Sequence, residues 1–131
     1  ILPSLDAGTW VITDRFLDSS LAYQGAARGL GIDAVLAINA AAVEGCLPAL
    51  SLVIDTPTGL TTRRRCATPD RIEAEGEGFQ EKVAGGYRAL AERFPGRVRL
   101  IPGDPCMAML GEKATPDEVH ARVMREVAAL L

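Results

Sequence analysis

Asp14-Arg15-Phe16-Leu17-Asp18-Ser19-Ser20-Leu21-Ala22-Tyr23-Gln24-Gly25 directly follows the run Trp10-Val11-Ile12-Thr13. A short apolar run that ends at an aspartate reads as a strand, and its lack of polar alternation fits a strand covered on both faces. Leu52-Val53-Ile54 before Asp55, and Val98-Arg99-Leu100-Ile101 before Pro102-Gly103, read the same way. The segments between them look helical, so the pattern predicts a parallel α/β sheet with flanking helices. In such sheets ligands bind beyond the carboxyl ends of the strands. That is where the charges and hydroxyls of residues 14–25 fall.

Three helices follow from periodicity and punctuation. Between Ile32 and Glu44, apolar residues at 35, 36, 38, 42 and 43 share a face, Asp33 is placed to cap the start, and Gly45 follows the end. Phe79, Val83, Tyr87, Leu90 and Phe94 form one stripe that Pro95-Gly96 stops. Thr115-Pro116-Asp117-Glu118 supplies an N-cap, a first-turn proline and a capping-box glutamate ahead of Val119, Val123, Val127 and Leu130. Residues 102–115 read as a loop, and 61–78, with clustered arginines followed by glutamates, as an exposed cover.

With 131 residues, 48% of them apolar, the chain suits one ordinary core, and a single domain over 1–131 is expected. A net charge of -3 excludes a global basic field for nucleic acid or anionic lipid. Cys46, Cys66 and Cys106 lack the spacing of a zinc site or a disulfide framework, so a reduced, cytoplasmic protein is expected. No apolar run reaches the roughly twenty residues of a membrane span, and no signal peptide is evident, so no membrane partner is expected. The start at Ile-Leu-Pro-Ser, without methionine, fits a fragment or a processed product.

Residue chemistry marks two clusters. Arg15 offers a planar fork of donors suited to a phosphate, Asp14 either orients that arginine or holds a metal-bound water, and Ser20, Tyr23 and Gln24 suit a polar nucleoside pocket. Equally open is an internal Asp14–Arg15 ion pair with Tyr23 merely packing. Arg63, Arg64, Arg65 and Arg71 either clamp a polyphosphate or form a solvated face balanced by Glu73, Glu75 and Glu77. His120 reads as a surface residue and Tyr87 as core packing.

Taken together, Asp14-Arg15-Phe16, then Asp18 through Gly31, resemble the central signature of bacterial thymidylate kinases. The resemblance continues through Leu47–Asp55, Gly59-Leu60, Asp70–Glu75, Phe79, Gly86-Tyr87 and Leu90-Ala91. It implies a three-layer P-loop kinase-like fold, an incomplete one here. It also implies transfer of the terminal phosphoryl group of magnesium ATP to dTMP, giving dTDP. By motif match Arg15 holds the acceptor phosphate, and Asp14 joins the phosphate and magnesium network, through water rather than as a direct ligand. Ser20, Tyr23 and Gln24 flank thymine and sugar, Tyr23 disfavouring a ribose 2'-hydroxyl. Residues 61–78 form a lid whose Arg63, Arg64, Arg65 and Arg71 face the ATP phosphates, and Glu73 stands near the acceptor. The family is typically homodimeric.

Family members also carry a first strand and a glycine-rich loop ending in lysine and serine or threonine, which cradle the ATP phosphates. These 131 residues hold no such segment, and the upstream arginine and aromatic contacts to the acceptor are likewise missing. The expectation is therefore a family member that does not turn over substrate as this chain alone. The alternative is a degenerate or truncated kinase-like domain that binds nucleotide or a partner without catalysis. The family's first strand belongs between the strands at Trp10 and Leu52, which predicts an open slot there.

Overall fold

The computed structural model describes residues 1–56, 75–103 and 115–130. In chain order these form a short helix α1 (Leu2–Asp6), the helix α2 (Leu17–Ser20) running straight into a π-helical segment (Leu21–Ala27), and helix α3 (Ile32–Val43). Strand β1 (Ser51–Asp55), helix α4 (Glu77–Arg93), strand β2 (Val98–Pro102) and helix α5 (Pro116–Ala128) follow. β1 and β2 pair in parallel from Ser51 opposite Val98 to Asp55 opposite Pro102. Parallel neighbours need a long crossover, and α4 supplies it.

Two of the three expected strands are present; Trp10–Thr13 is not a strand. It makes no ladder with any described segment, and Ile12 is 95% exposed. A helix satisfies its backbone internally, whereas a strand exists only through a neighbour's hydrogen bonds. Among the described residues β2 is the strand that pairs with β1, and Trp10–Thr13 has no ladder partner.

The predicted helices form with adjustments. α3 runs as the spacing predicts and ends with Glu44 in left-handed conformation (φ 46°) before Gly45 (φ 76°). Gly31, not Asp33, is its N-cap; Asp33 lies in the first turn and pairs with Arg93 instead. Only part of its predicted stripe is inside: Val35 is buried and Leu36 and Val43 pack on the core, while Ile38 is 76% exposed and Ala42 is exposed. α4 buries Val83 and Leu90 and packs Phe79, Tyr87 and Phe94, the stripe read from the sequence. At α5 the Thr115 hydroxyl accepts from the Glu118 amide while the Glu118 carboxylate accepts from the Thr115 amide, a complete capping box. Leu130 lies past the helix end and is exposed.

The main core is helical. Leu17, Leu21, Ala22, Ala27, Val35, Val83 and Leu90 bring α2, the π-helical segment, α3 and α4 together. Gly86 makes the close approach possible: a Cβ there would lie 2.8 Å from the Ala26 Cβ and 3.1 Å from the Ala22 carbonyl oxygen. Val98 and Ile101 are buried on β2, and α5 is tied to that strand by Arg99–Glu126 at 3.2 Å and by the Arg122 guanidinium donating to the Pro102 carbonyl at 2.6 Å.

Of the predicted exposed cover, residues 61–74 lie outside the described residues. Its end differs from expectation: Gly76 caps α4, and residues 77 and 78 are already helical. Most of the expected loop after β2, residues 104–114, is likewise outside.

Candidate acceptor site on the motif helix

Residues 14–31 form one structural unit. Asp14 and Arg15 make the bend before the helix, and Arg15 takes a left-handed backbone (φ 65°), with the Thr13 hydroxyl donating to its carbonyl at 2.9 Å. A bulky residue with positive φ is costly, and such strain gathers at functional positions. The helix then widens, so that the Arg28 amide donates to the Tyr23 carbonyl five residues back. Single π-helical turns are frequently found where side chains are re-aimed at a site.

Five of the predicted site residues, Asp14, Arg15, Ser20, Tyr23 and Gln24, lie on this unit. The Arg15 guanidinium lies 5.2 Å from the centroid of the Tyr23 ring, a cation–π arrangement. Hydrogen bonding with the Tyr23 phenol, then the nearby Tyr87 and Asp14, hold the guanidinium above its ordinary range, with partial burial opposing them. Arg15 makes no ion pair among the described residues, so the internal Asp14–Arg15 pair is not formed. Tyr23 meets Phe79 of α4 edge-on with centroids 6.1 Å apart, and Phe79 in turn lies 5.7 Å beneath the Arg28 guanidinium, which pairs with Glu75 at 2.6 Å. The Gln24 Oε1 is buried with no hydrogen-bond partner among the described residues. A buried amide oxygen left unpaired costs about 1–3 kcal/mol, so it is a natural point for a ligand or a water to donate. Asp14 is exposed at the end of the bend. Arg63, Arg64, Arg65, Arg71 and Glu73 lie outside the described residues.

Three further positions support this unit, none of them read from sequence as a site residue. Asp18, buried at the start of the helix, accepts from both terminal nitrogens of Arg97 at 2.7 Å each and from the Ser51 hydroxyl at 2.6 Å. Burial pushes its carboxyl up, but the Arg97 fork and the Ser51 hydroxyl outweigh it and hold it below the usual range. Arg97 also covers the Phe94 ring at 4.9 Å. The third position is Tyr87, whose hydroxyl meets the Ser19 Oγ at 2.9 Å, so it does more than pack. Burial raises its phenol above the ordinary value, against the pull of the Ser19 hydrogen bond, and keeps it neutral. Such pairs join residues 68 and 79 positions apart, and no local spacing announces them.

Elsewhere, Asp55 at the carboxyl end of β1 is committed to a two-point ion pair with Arg88, both contacts at 3.0 Å. Among the described residues no group of three or more His, Cys, Asp or Glu side chains is placed to hold a metal ion. His120 is exposed and Cys46 is a free thiol. No described helix is long and apolar enough to cross a membrane.

This arrangement has relatives. The family model described as thymidylate kinase matches residues 1–107. A thymidylate kinase of Rhizorhabdus wittichii is 38% identical over an alignment covering all of this chain and 61% of that protein, and one of Alkalilimnicola ehrlichii is 46% identical over 84% of this chain and 52% of its own length. The crystal structure of thymidylate kinase from Ehrlichia chaffeensis superposes with a TM-score of 0.64 at 23% identity, over 99% of this chain and 56% of that one, which establishes the shared fold. The chain thus spans between half and two thirds of the length of these relatives. With the signature helix, the parallel strands and the family match in agreement over most of its residues, the chain belongs to the thymidylate kinase family.

Proposed function

We propose that this chain supplies the acceptor side of a thymidylate kinase, which transfers the γ-phosphoryl group of ATP to dTMP to give dTDP. Arg15 binds the acceptor phosphate, Ser20, Tyr23 and Gln24 form the nucleoside wall, and Asp14 joins the phosphate network. The observation that carries this reading is Arg15 itself: a guanidinium without an ion-pair partner among the described residues, set over the Tyr23 ring. Phosphoryl transfer asks the protein chiefly for positioning and charge neutralisation, and an arginine on a braced helix offers both.

Magnesium enters with ATP, where it neutralises charge on the phosphates. The lone exposed carboxylate of Asp14 suits contact with that ion through water and is not a resident metal site. Arg63, Arg64, Arg65 and Arg71 are proposed to face the ATP phosphates, one of them supplying the catalytic arginine, with Glu73 near the acceptor. The same reading carries a cytoplasmic setting and a homodimer. The free Cys46 thiol agrees with the first, and the uncovered face of α3, where Ala34, Ala37, Ile38 and Ala41 are exposed, agrees with the second.

Calorimetric titration of dTMP into the chain tests the acceptor role. Saturable binding that weakens at least tenfold in Arg15→Ala is expected, in line with loss of a charge-assisted hydrogen bond to phosphate. A folded chain that binds no dTMP, or binds it equally well without Arg15, overturns the proposal.

A further inference from the structure

Tyr87 lies in the α4 stripe, and its ring packs on the core. Its hydroxyl does something packing does not require. The adjacent Gly86 lets α4 approach the motif helix so closely that a single methyl group would collide with Ala26, and that approach brings the Tyr87 hydroxyl to the Ser19 Oγ at 2.9 Å. Ser19 sits in the single turn that separates Arg15 from Tyr23. The Tyr87 hydroxyl therefore braces the turn that begins two residues after Arg15.

We propose that Ser19 and Tyr87 are positioning residues for Arg15: their hydrogen bond ties the first turn of the motif helix to α4 and fixes where the guanidinium meets the acceptor phosphate. Neither needs to touch substrate. The inference rests on the acceptor reading above and adds that phosphate recognition depends on an inter-helix contact through a residue outside the signature. It predicts a division of effects: the phosphate-dependent part of affinity runs through Tyr87, while the nucleoside part does not.

Tyr87→Phe tests this because the ring and its packing remain. The chain and the variant are titrated with dTMP and, separately, with thymidine, which lacks the phosphate; a thermal melt checks that the variant is folded. Loss of about one hydrogen bond's contribution predicts dTMP affinity reduced about fivefold with thymidine affinity unchanged. Ser19→Ala should match it, and the double variant should lose no more than either single one, since both remove the same bond. In an Arg15→Ala background Tyr87→Phe should have no further effect. Unchanged dTMP affinity in Tyr87→Phe overturns the inference, as does an equal loss for thymidine, which marks plain packing. If the original chain binds dTMP not at all, the acceptor reading fails first and the role of the pair fails with it.

Discussion

Residues 10–13 and residues 17–27 both carry large apolar side chains and lie close in sequence, yet these side chains end in opposite environments. Leu21 is fully buried, whereas Ile12 is 95% exposed. The helix closes its own hydrogen bonds and needs only a surface to pack on, which α3 and α4 provide. The extended run needs a specific partner strand on a specific edge, and no described segment provides it. Apolarity therefore determines what wants to be buried, while backbone hydrogen bonding determines whether burial can occur with the elements at hand.

This contrast can be broken by measurement. Leu21→Ala should have the largest effect, destabilising the chain by about 2–5 kcal/mol in urea denaturation, the range for truncation of a fully buried leucine. A loss below about 1 kcal/mol would mean the motif helix is not packed as described.

Next is Asp18→Asn, which leaves the largely buried Arg97 without its charge partner and should cost about 3 kcal/mol at neutral pH. Because the folded carboxyl lies below its unfolded value, its contribution is present above about pH 4 and is lost as pH falls through the lower folded pKa. The stability gap between the original chain and the variant should therefore narrow towards the acid end of unfolding curves taken from pH 7 down to pH 3. A constant gap across that range would show that the ion pair is not what Asp18 contributes.

Ile12→Thr should be the smallest, within about 0.5 kcal/mol, despite removing a large apolar side chain from a strand-like run. A cost comparable to that of Leu21→Ala would show that residues 10–13 are paired and covered in solution, and would erase the difference between the two regions.

What the sequence revealed follows the same division. Helices α3, α4 and α5 were legible because periodicity, glycine and the Thr115 to Glu118 capping box are local. β1 and β2 were legible because each found the other. Trp10–Thr13 was misread because pairing is not a property of the segment alone, and Asp33 because a first-turn carboxylate can choose a distant arginine over its own helix end. The stretch 17–27 went unread as a helix partly because π-helical turns are wider than the 3.6-residue template. Arg15, Ser20, Tyr23 and Gln24 are named as site residues by the resemblance and remain a proposal. Asp18, Ser19 and Tyr87 were not legible, since their partners are set by tertiary packing: Asp18 meets Arg97, and Ser19 meets Tyr87 on α4.

The distance along the chain between Ser19 and Tyr87 has a consequence for how this protein is made. Helices form in microseconds or less from local contacts, whereas contacts 68 residues apart require the intervening chain to be closed first. Ser19 and Tyr23 can thus reach helical structure early and still have no α4 to hold them. During folding the contact between the motif helix and α4 is assembled late, after the helices exist, and on gentle unfolding it should be lost early, while helical content measured by circular dichroism is still high. Ligand affinity is then a more sensitive gauge of the native state of this chain than its secondary structure.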